Sequence, residues 1–242
     1  MNSKQLYCQT LKFNNIDNYF KCDKIYNNKN IDFIEFRVDS LLKNNYNIDE
    51  IIKIINQIVI KKQKIFTIRT QSEGGDVKLN DYDYFDYIIK ALTLSNSEYI
   101  DIEYNLYNNN KTIFDKYIDI ARNLHNKKII LSIHILDKSY DKKYYEDLII
   151  DINNNNCDII KIASMPFNKD DVINLMEAAN SIKNQITDKK LIIISMGTLG
   201  LVSRVFTEYT NSYFTFIDEN VENMNEIGQC SIKYLKHLRK LI

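Results

Sequence analysis

The sequence is poor in the residues that build covalent and metal frameworks: 242 residues include four cysteines, three histidines, one proline and no tryptophan. The cysteines are scattered and form no Cys-x-x-Cys pair; they are Cys8, Cys22, Cys157 and Cys230. We therefore expect reduced thiols, with neither a disulfide framework nor a structural zinc site. Three histidines are also too few for a His-rich metal site to be easily assembled.

The chain has no excess of charge of either sign, with 32 basic and 32 acidic residues. A balanced charge offers no global field to attract nucleic acid or an anionic membrane surface. No apolar run approaches the roughly 20 residues that span a bilayer, and the first 15 residues lack the apolar segment of a signal peptide. We expect a cytoplasmic protein that binds neither nucleic acid nor membrane.

Only five glycines are present, and no Gly-x-Gly-x-x-Gly motif follows the first predicted strand, which argues against a dinucleotide-binding fold. Asparagine clusters at Asn44-Asn45, 108–110 and 153–156 lie where turns are needed. Because asparagine tolerates left-handed backbone, we interpret these clusters as turn residues that substitute for glycine.

Eight short apolar runs predict β-strands, at Gln5–Thr10, Phe33–Val38, Ile65–Ile68, Tyr99–Glu103, Ile129–His134, Ile159–Ala163, Leu191–Ser195 and Tyr213–Phe216. Several of them are continuously hydrophobic rather than alternating, which is typical of strands buried on both faces in a parallel sheet. Amphipathic segments between the strands predict helices, at Ile48–Ile60, Tyr82–Leu94, Ile113–Leu124, Tyr144–Ile152, Val172–Ile186 and Ser231–Leu241.

Eight strands that alternate with helices in a chain near 250 residues indicate an α/β protein, a (β/α)8 TIM barrel. A doubly wound open sheet is the alternative. The sequence has no linker and no break in composition, so we expect one catalytic domain over residues 1–242.

Polar residues interrupt these apolar strands near their carboxyl ends, where a (β/α)8 barrel builds its active site. The residues at strand ends are Glu35, Arg37, Arg69, Glu103, His134, Lys161 and Ser195. Two loops close to these ends add Glu73 and Arg204. We therefore expect a polar site at this edge.

The residue types suggest an anionic substrate with a carbonyl group. Converging side chains of Arg37, Arg69 and Arg204 suit a carboxylate, which arginine binds bidentately. Glu35 lies two residues before Arg37 and therefore on the same face of the strand. An ion pair between these two residues is the alternative to a role in substrate binding. A lysine amine placed among apolar residues, as Lys161 is, is a candidate nucleophile towards a carbonyl. A lysine whose stem covers apolar surface is the alternative.

His134 ends the strand that precedes Lys161 and is either a hydrogen-bonded core residue or an acid–base group. Glu73 precedes Gly74-Gly75 in a loop that can bring a carboxylate to the imidazole. The turn at Gly197–Gly200 precedes a helix and is either an anion-binding turn or ordinary turn chemistry.

Taken together, seven segments resemble the type I 3-dehydroquinate dehydratases, in the order of that family. The segments are EFRVD (Glu35–Asp39), FTIRT (Phe66–Thr70), EGG (Glu73–Gly75), IDIE (Ile100–Glu103), DIIKIASMP (Asp158–Pro166), SMGxxGxxSR (Ser195–Arg204) and Gly228-Gln229. The resemblance implies a (β/α)8 barrel that dehydrates 3-dehydroquinate to 3-dehydroshikimate, the third step of the shikimate pathway, without metal or cofactor. It also implies a homodimer.

By this resemblance Lys161 would form an imine with the C3 ketone of the substrate. His134 would remove a C2 proton and then protonate the leaving hydroxyl, and Glu73 would orient His134. The substrate-binding residues would be Glu35, Arg37, Arg69, Arg204, Gln229 and Asn225. Asn225 stands where the family has a serine in its Ser-Ala-Pro-Gly-Gln lid.

Two alternatives belong to other classes of protein. A non-catalytic relative would bind a similar ligand without turnover, although it would have no need of Glu73, His134 and Lys161 together. A class I aldolase would use the same Schiff-base chemistry, but it would carry a phosphate-binding loop after the seventh or eighth strand.

Overall fold

The computed structural model describes residues 5–182, 184–185 and 188–241 of the chain. Its strands are β1 (Leu6–Lys12), β2 (Phe33–Arg37), β3 (Gln63–Thr67), β4 (Tyr99–Glu103), β5 (Lys128–Ile135), β6 (Ile159–Ser164), β7 (Lys190–Ser195) and β8 (Phe214–Ile217). All eight predicted strands are confirmed, with ends within two residues of the prediction. Nearly every strand residue is buried, as continuous apolar runs require.

Helices connect the strands, and short 3-10 helices precede the first α-helix (Ile16–Lys21) and follow β3 (Gln71–Glu73). The helices are α1 (Asp23–Tyr26), α2 (Asp39–Lys43), α3 (Ile48–Gln57), α4 (Asp81–Leu94), α5 (Tyr104–Asn109), α6 (Lys111–His125), α7 (Lys142–Asn153), α8 (Lys169–Ile182), α9 (Leu201–Val205), α10 (Thr207–Thr210) and α11 (Ile232–Lys240). The six helices predicted from periodicity correspond to α3, α4, α6, α7, α8 and α11.

Three details differ from the prediction or lie outside the described residues. The helix predicted over Ile48–Ile60 ends at Gln57, because the chain becomes extended at Ile58 and leaves Val59 92% exposed. The helix predicted to end at Ile186 is α8, and Ile186 itself lies outside the described residues. The domain predicted over 1–242 likewise includes residues 1–4, 183, 186, 187 and 242, which the structure does not describe.

Of the short helices, only α9 was anticipated, as the helix that follows the Gly197–Gly200 turn, since four to six residues are too few to show a 3.6-residue period. This matters for Arg204, which was predicted in a loop and lies in α9. The serine before it, Ser203, bonds with its hydroxyl to the turn that leaves β7: Oγ accepts from Ser195 N at 3.0 Å and donates to Gly200 O at 2.8 Å. The prediction of a loop at Arg204 was therefore wrong.

The strands are hydrogen-bonded in the order β7-β6-β5-β4-β3-β2-β1-β8. The pairings of β2 with β3, β3 with β4, β4 with β5, β6 with β7 and β1 with β8 are all parallel. The N–H of Tyr213, just before β8, donates to Leu191 O on β7 at 2.7 Å. Parallel pairing places the carboxyl ends of neighbouring strands at one edge.

The chain divides into two compact units. The N-terminal unit (Thr10–Ser132) holds the pairings from β2 to the first residues of β5. The C-terminal unit (Met1–Gln9 with Ile133–Ile242) holds those of β6 with β7 and β1 with β8. Within the described residues, no helix is long and apolar enough to cross a membrane.

The asparagine clusters lie at helix ends and turns, as predicted. Of the clustered residues, Asn45 adopts a left-handed conformation with φ of 63°, and two isolated asparagines, Asn126 and Asn211, do so at the ends of α6 and α10. Asparagine therefore closes helices in this chain, where glycine is the more usual residue.

Candidate active site

In the N-terminal unit, Arg69 lies just beyond β3 and is surrounded by acidic groups. Its Nη1 donates to Glu73 Oε2 at 3.0 Å and to Glu103 Oε1 at 3.1 Å, and its Nη2 donates to Asp101 Oδ1 at 2.7 Å and to Ser132 Oγ at 3.0 Å. Burial alone disfavours the charged guanidinium, but the three carboxylates outweigh it and raise the pKa of Arg69 well above its ordinary value.

Arg37 forms its ion pair with Asp39 rather than with Glu35. Nε and Nη2 of Arg37 donate to the two carboxylate oxygens of Asp39 at 2.8 and 3.0 Å. Glu35 accepts hydrogen bonds from Thr67 Oγ1 at 3.0 Å and from Thr10 Oγ1 at 2.8 Å. The direct Glu35–Arg37 pair that the sequence left open is therefore not formed.

The loop after β3 carries Glu73 and is attached to the start of α2 by a second acidic residue, Asp76. The Asp76 N–H donates to Asp39 Oδ2 at 3.0 Å, and its carboxylate accepts from Ser40 Oγ and forms an ion pair with Lys12 at 2.9 Å. In the same loop Gly75 lies so near the backbone that a Cβ there would stand 1.8 Å from Arg69 O. Only glycine fits this approach.

In the C-terminal unit, Lys161 and Arg204 both contact Phe216 on β8. The ammonium of Lys161 lies 4.4 Å from the centroid of the Phe216 ring, and Arg204 Nη1 donates to the Phe216 carbonyl oxygen at 3.4 Å. Lys161 is buried in the middle of β6, opposite Ile192 of β7. The amine and the guanidinium are thus brought to one strand of the sheet.

Arg204 has no acidic partner among the described residues. It is buried, and among the described residues its guanidinium donates to the carbonyl oxygens of Phe216 and, at 2.9 Å from Nη2, of Ile227, whereas Nε has no acceptor. Burial lowers the pKa of Arg204 to about 10, against a small opposing effect from Cys230. A buried cation without a counter-ion is an unfavourable arrangement unless an anion binds it.

A hairpin-like loop, Asn225–Gln229, covers this guanidinium through Ile227. The side chain of Asn225 bonds twice to Gln229: the main-chain N–H of Gln229 donates to Asn225 Oδ1 at 2.8 Å, and Asn225 Nδ2 donates to the side-chain Oε1 of Gln229 at 3.3 Å. Gly228 has φ of 81° and packs on Gly197, where a Cβ would lie 2.7 Å from the Gly197 oxygen. Asn225 therefore bonds to the loop itself.

Each unit brings some of the predicted residues together. The N-terminal unit groups Arg69 with Glu73 and Glu103, whereas Glu35 and Arg37 have partners of their own. The C-terminal unit groups Lys161, Arg204 and the loop that holds Asn225 and Gln229. It places His134, half-buried, near the end of β5, and Ser195 bonds through its N–H to Ser203.

Several contact residues were missed. Asp39 and Asp101 lie inside the motifs EFRVD and IDIE, so their positions were visible but no role was assigned to them. Ser132 and Phe216 carry no sequence signal, because both lie in ordinary strand segments. In the described part of the chain, no group of three or more His, Cys, Asp or Glu side chains is arranged to hold a metal ion.

Comparison with known proteins gives the fold class first. A 3-dehydroquinate dehydratase of Geobacillus kaustophilus superposes with a TM-score of 0.85 over 99% of this chain and 91% of that one, at 20% identity. A type I enzyme of Clostridium difficile, solved with covalently modified comenic acid, gives 0.83 over 98% and 91%, at 26% identity. The fold is a (β/α)8 barrel, as predicted.

The family follows from the sequence comparison. The profile of the family described as Type I 3-dehydroquinase matches residues 7–242. A 3-dehydroquinate dehydratase of Streptococcus pneumoniae (strain CGSP14) is 28% identical over 214 residues, which are 87% of each chain. The chain belongs to the type I 3-dehydroquinase family and so to the lyases (EC 4.2.1.10), and the resemblance seen in the motifs is confirmed.

Proposed function

We propose that this enzyme dehydrates 3-dehydroquinate to 3-dehydroshikimate, in the shikimate pathway towards chorismate and the aromatic amino acids, through an imine on Lys161. The observation that carries the proposal is the pair of nitrogen groups at Phe216: a buried amine and a buried guanidinium that has no acidic partner among the described residues. A substrate with one carboxylate and one ketone matches this pair.

The carboxylate of the substrate binds Arg204. A carboxylate accepts two parallel hydrogen bonds from a guanidinium, and Nε of Arg204 is a buried donor that the described residues leave unused. The added negative charge also removes the cost of burying a lone cation. That the C. difficile relative was solved with a covalently modified organic acid agrees with a site that takes acids.

Lys161 supplies the covalent chemistry. Its neutral amine adds to the C3 carbonyl carbon, and loss of water leaves an iminium that accepts the electron pair of the adjacent C2–H bond as the proton leaves. The electron pair then returns from the enamine to form the C1–C2 double bond as the C1 hydroxyl leaves as water. Hydrolysis of the iminium releases the product and restores the amine.

His134 is the proton carrier of the proposal. As a neutral imidazole it takes the C2 proton and then delivers it to the departing hydroxyl on the same face, which gives syn elimination. We retain the sequence-based proposal that the Glu73 carboxylate orients His134. Its support is the family membership, together with the hydrogen bond from Arg69 that holds Glu73 in a defined place.

The remaining polar groups are proposed to bind the substrate, as the resemblance implies. They are Glu35, Arg37, Arg69, Asn225 and Gln229. Hydrogen bonds from these groups to the hydroxyls and carboxylate of the substrate hold its reacting atoms near Lys161 and His134, and such positioning lowers the barrier. No metal or cofactor enters the proposed chemistry.

The test combines turnover with covalent trapping. Purified enzyme is incubated with 3-dehydroquinate while the absorbance of the conjugated product is followed. A second sample is treated with borohydride, and the labelled residue is located by peptide mass spectrometry. We expect turnover and an adduct on Lys161, and we expect both to be lost in Lys161→Met. Lys161→Arg should also fail, because it keeps the cation but lacks a primary amine.

A matched control is Lys190→Met. Lys190 is another strand lysine, 5.7 Å from the centroid of the Tyr213 ring, but it is exposed at the start of β7. This variant should retain turnover and trapping. Turnover without an adduct on Lys161 would contradict the imine mechanism. No turnover with 3-dehydroquinate would contradict the proposed function and favour a non-catalytic binding protein. Turnover of sugar-phosphate aldol substrates instead would favour the aldolase.

We also propose that the enzyme is a cytoplasmic homodimer. The family resemblance supports the dimer, and the four cysteines, which are buried as thiols, are in keeping with a reducing compartment. Sedimentation equilibrium of the purified chain measures the oligomeric state, and fractionation of cells that express the protein measures its location.

A further inference from the structure

Asp39 is a buried carboxylate at the point where the chain leaves β2 and begins α2. Its side chain is 0% exposed. The N–H of Val38 still donates to Thr67 O of β3 at 3.0 Å, and the helix begins with the next residue. Because burial of a charged carboxylate is unfavourable without partners, the groups that it binds show what this residue holds in place.

One partner is Arg37, which lies at the end of β2. The two carboxylate oxygens of Asp39 each accept one hydrogen bond from the guanidinium, so the pair is bidentate. Such pairing fixes the plane of the guanidinium as well as its position. The side chain of Arg37 is 16% exposed, whereas that of Asp39 is fully buried. The carboxylate therefore orients an arginine that is still partly accessible.

The other partner is the loop after β3. Oδ2 of Asp39, one of the two oxygens that bind the guanidinium, also accepts from the main-chain N–H of Asp76 at 3.0 Å. Glu73 lies three residues earlier in this loop. The N–H groups of Glu73 and Gly75 both donate to Thr70 O, at 3.0 and 2.8 Å, so the loop turns tightly between them. The position of Glu73 therefore depends on where Asp76 is held.

A neighbouring contact holds the same loop by a separate route. The hydroxyl of Ser40 donates to Asp76 Oδ2 at 2.5 Å, and Lys12 Nζ lies 2.9 Å from the same oxygen. This lysine is farther from Asp39, at 3.9 Å from Oδ2. Removal of the Ser40 hydroxyl therefore loosens the loop while it leaves the bidentate pair of Asp39 and Arg37 in place.

We propose that Asp39 is a positioning residue for the dehydration, which acts through Arg37 on substrate binding and through the Asp76 N–H on the loop that carries Glu73. The inference rests on the proposed function, in which Arg37 binds the substrate and Glu73 orients the acid–base group. Because one buried carboxylate holds both, the binding group and the loop share a single fixed point. Groups that are held in place before the substrate arrives need no rearrangement during the reaction.

The test separates KM from kcat in three single variants assayed with 3-dehydroquinate. Arg37→Met should raise KM and retain kcat, because it removes a binding contact alone. Ser40→Ala should lower kcat and retain KM, because it loosens the loop alone. Asp39→Asn should do both, each by roughly tenfold, as expected for loss of a charged hydrogen bond, since an amide of the same size cannot accept from the guanidinium at both positions.

A double-mutant cycle shows whether Asp39 acts through Arg37. In the Arg37→Met background, Asp39→Asn should cause no further rise in KM but should still lower kcat. Independent effects on KM that multiply in the double variant would overturn the action through Arg37, and so would an unchanged KM in Arg37→Met. A wild-type kcat in Asp39→Asn would overturn the action on the loop.

A merely structural role gives a different result. Partial unfolding of Asp39→Asn would reduce the amount of active enzyme, so the apparent kcat would fall while KM stayed at the wild-type value, and this outcome would overturn the proposal. Urea unfolding of every variant identifies conditions in which each is folded, and the kinetics are measured there.

The matched control is Glu98→Gln, another change from acid to amide. Glu98 Oε2 accepts from the main-chain N–H of Lys64 at 2.7 Å, at the amino end of β3 and so at the edge of the sheet away from the site. This variant should retain KM and kcat. Normal kinetics in Asp39→Asn with an active wild type would overturn this inference alone, whereas a wild type that does not turn over 3-dehydroquinate would overturn the proposed function and this inference with it.

Discussion

Two buried arginines of this chain have opposite electrostatic surroundings. Arg69 contacts three carboxylates, which raise its pKa well above the ordinary value. Within the described part of the chain the guanidinium of Arg204 donates only to carbonyl oxygens, and burial lowers its pKa to about 10. The first arginine is thus part of an internal charge network, whereas the second is suited to an external anion.

We predict that Arg204→Met weakens substrate binding without weakening the fold. The variant loses the proposed carboxylate contact, so KM should rise at least tenfold. The corresponding fall in kcat/KM should equal a loss of about 1.5–3 kcal/mol of transition-state stabilisation, the typical value of a charged hydrogen bond. Removing a buried cation that has no counter-ion should leave the free energy of unfolding unchanged or higher. Steady-state kinetics and urea unfolding measure the two effects.

Arg69→Met is the contrasting variant at this scale. It leaves three buried carboxylates without their cation, which costs about 3–5 kcal/mol of stability. If urea unfolding instead showed Arg204→Met to be the less stable variant, the assignment of the carboxylate partners to Arg69 and of an uncompensated charge to Arg204 would be wrong.

At the scale of elements, close backbone approaches set the loops around the site. The turn at Gly197 accepts the loop at Gly228, and the loop after β3 passes close to Arg69. Such approaches need residues without a Cβ at Gly75 and Gly228, which explains where two of the chain's five glycines are used.

We predict that Gly75→Ala disables the Glu73 loop. Its Cβ would stand 1.8 Å from Arg69 O. Since this is a backbone atom, a change of side-chain rotamer cannot relieve the clash. The strain should cost about 1–3 kcal/mol of unfolding free energy, and turnover should fall further than stability because Glu73 shifts with the loop. Thermal unfolding and kcat at a temperature where the variant is folded test this; full activity would contradict it.

A repeated lysine contact also belongs to this scale. Lys62, Lys127 and Lys189 each precede an odd-numbered strand and donate to carbonyl oxygens in the loop before the preceding even-numbered strand. The acceptors are Asn28 and Ile31 for Lys62, Ser95 and Ser97 for Lys127, and Asn153 and Asn155 for Lys189. Each ammonium thus bridges two carbonyl oxygens, and a carbonyl oxygen can accept a second hydrogen bond beside a backbone one, as those of Asn28 and Asn155 do.

At the scale of the whole molecule, acid stability should depend on Asp76. Burial by itself raises the pKa of this carboxyl, but the hydrogen bond from Ser40 and the charges of Lys12 and Lys43 outweigh it and lower the pKa below 3.8. A carboxyl whose pKa is lower in the folded state stabilises the fold above its unfolded pKa, and that stabilisation is lost as the pH falls through the folded pKa.

The corresponding prediction compares wild type with Asp76→Asn between pH 7 and pH 2. Wild type should be the more stable protein above about pH 4, and the difference should disappear as the pH falls further. Urea unfolding at each pH measures it. A difference that stays constant over the whole range would show that Asp76 does not act through its charge.

Much of the fold was predictable because it depends on neighbours along the chain. Strands buried on both faces need continuous apolar runs such as LIIIS, and helices on a sheet need a 3.6-residue period, so both leave a local pattern. The motif around Lys161 and the apolar strand that His134 ends were recognisable for the same reason. Four of the five short helices were not predicted, since four to six residues are too few to show a 3.6-residue period.

The sequence by itself thus determined the order of the strands and longer helices, the family, and which residues are polar at strand ends. The tertiary structure decided what those residues touch. Arg69 meets Asp101 and Ser132, 32 and 63 residues away, and Lys161 meets the Phe216 ring. The partner of a buried charge depends on strand register and packing between distant segments, and neither of these leaves a periodic mark along the chain.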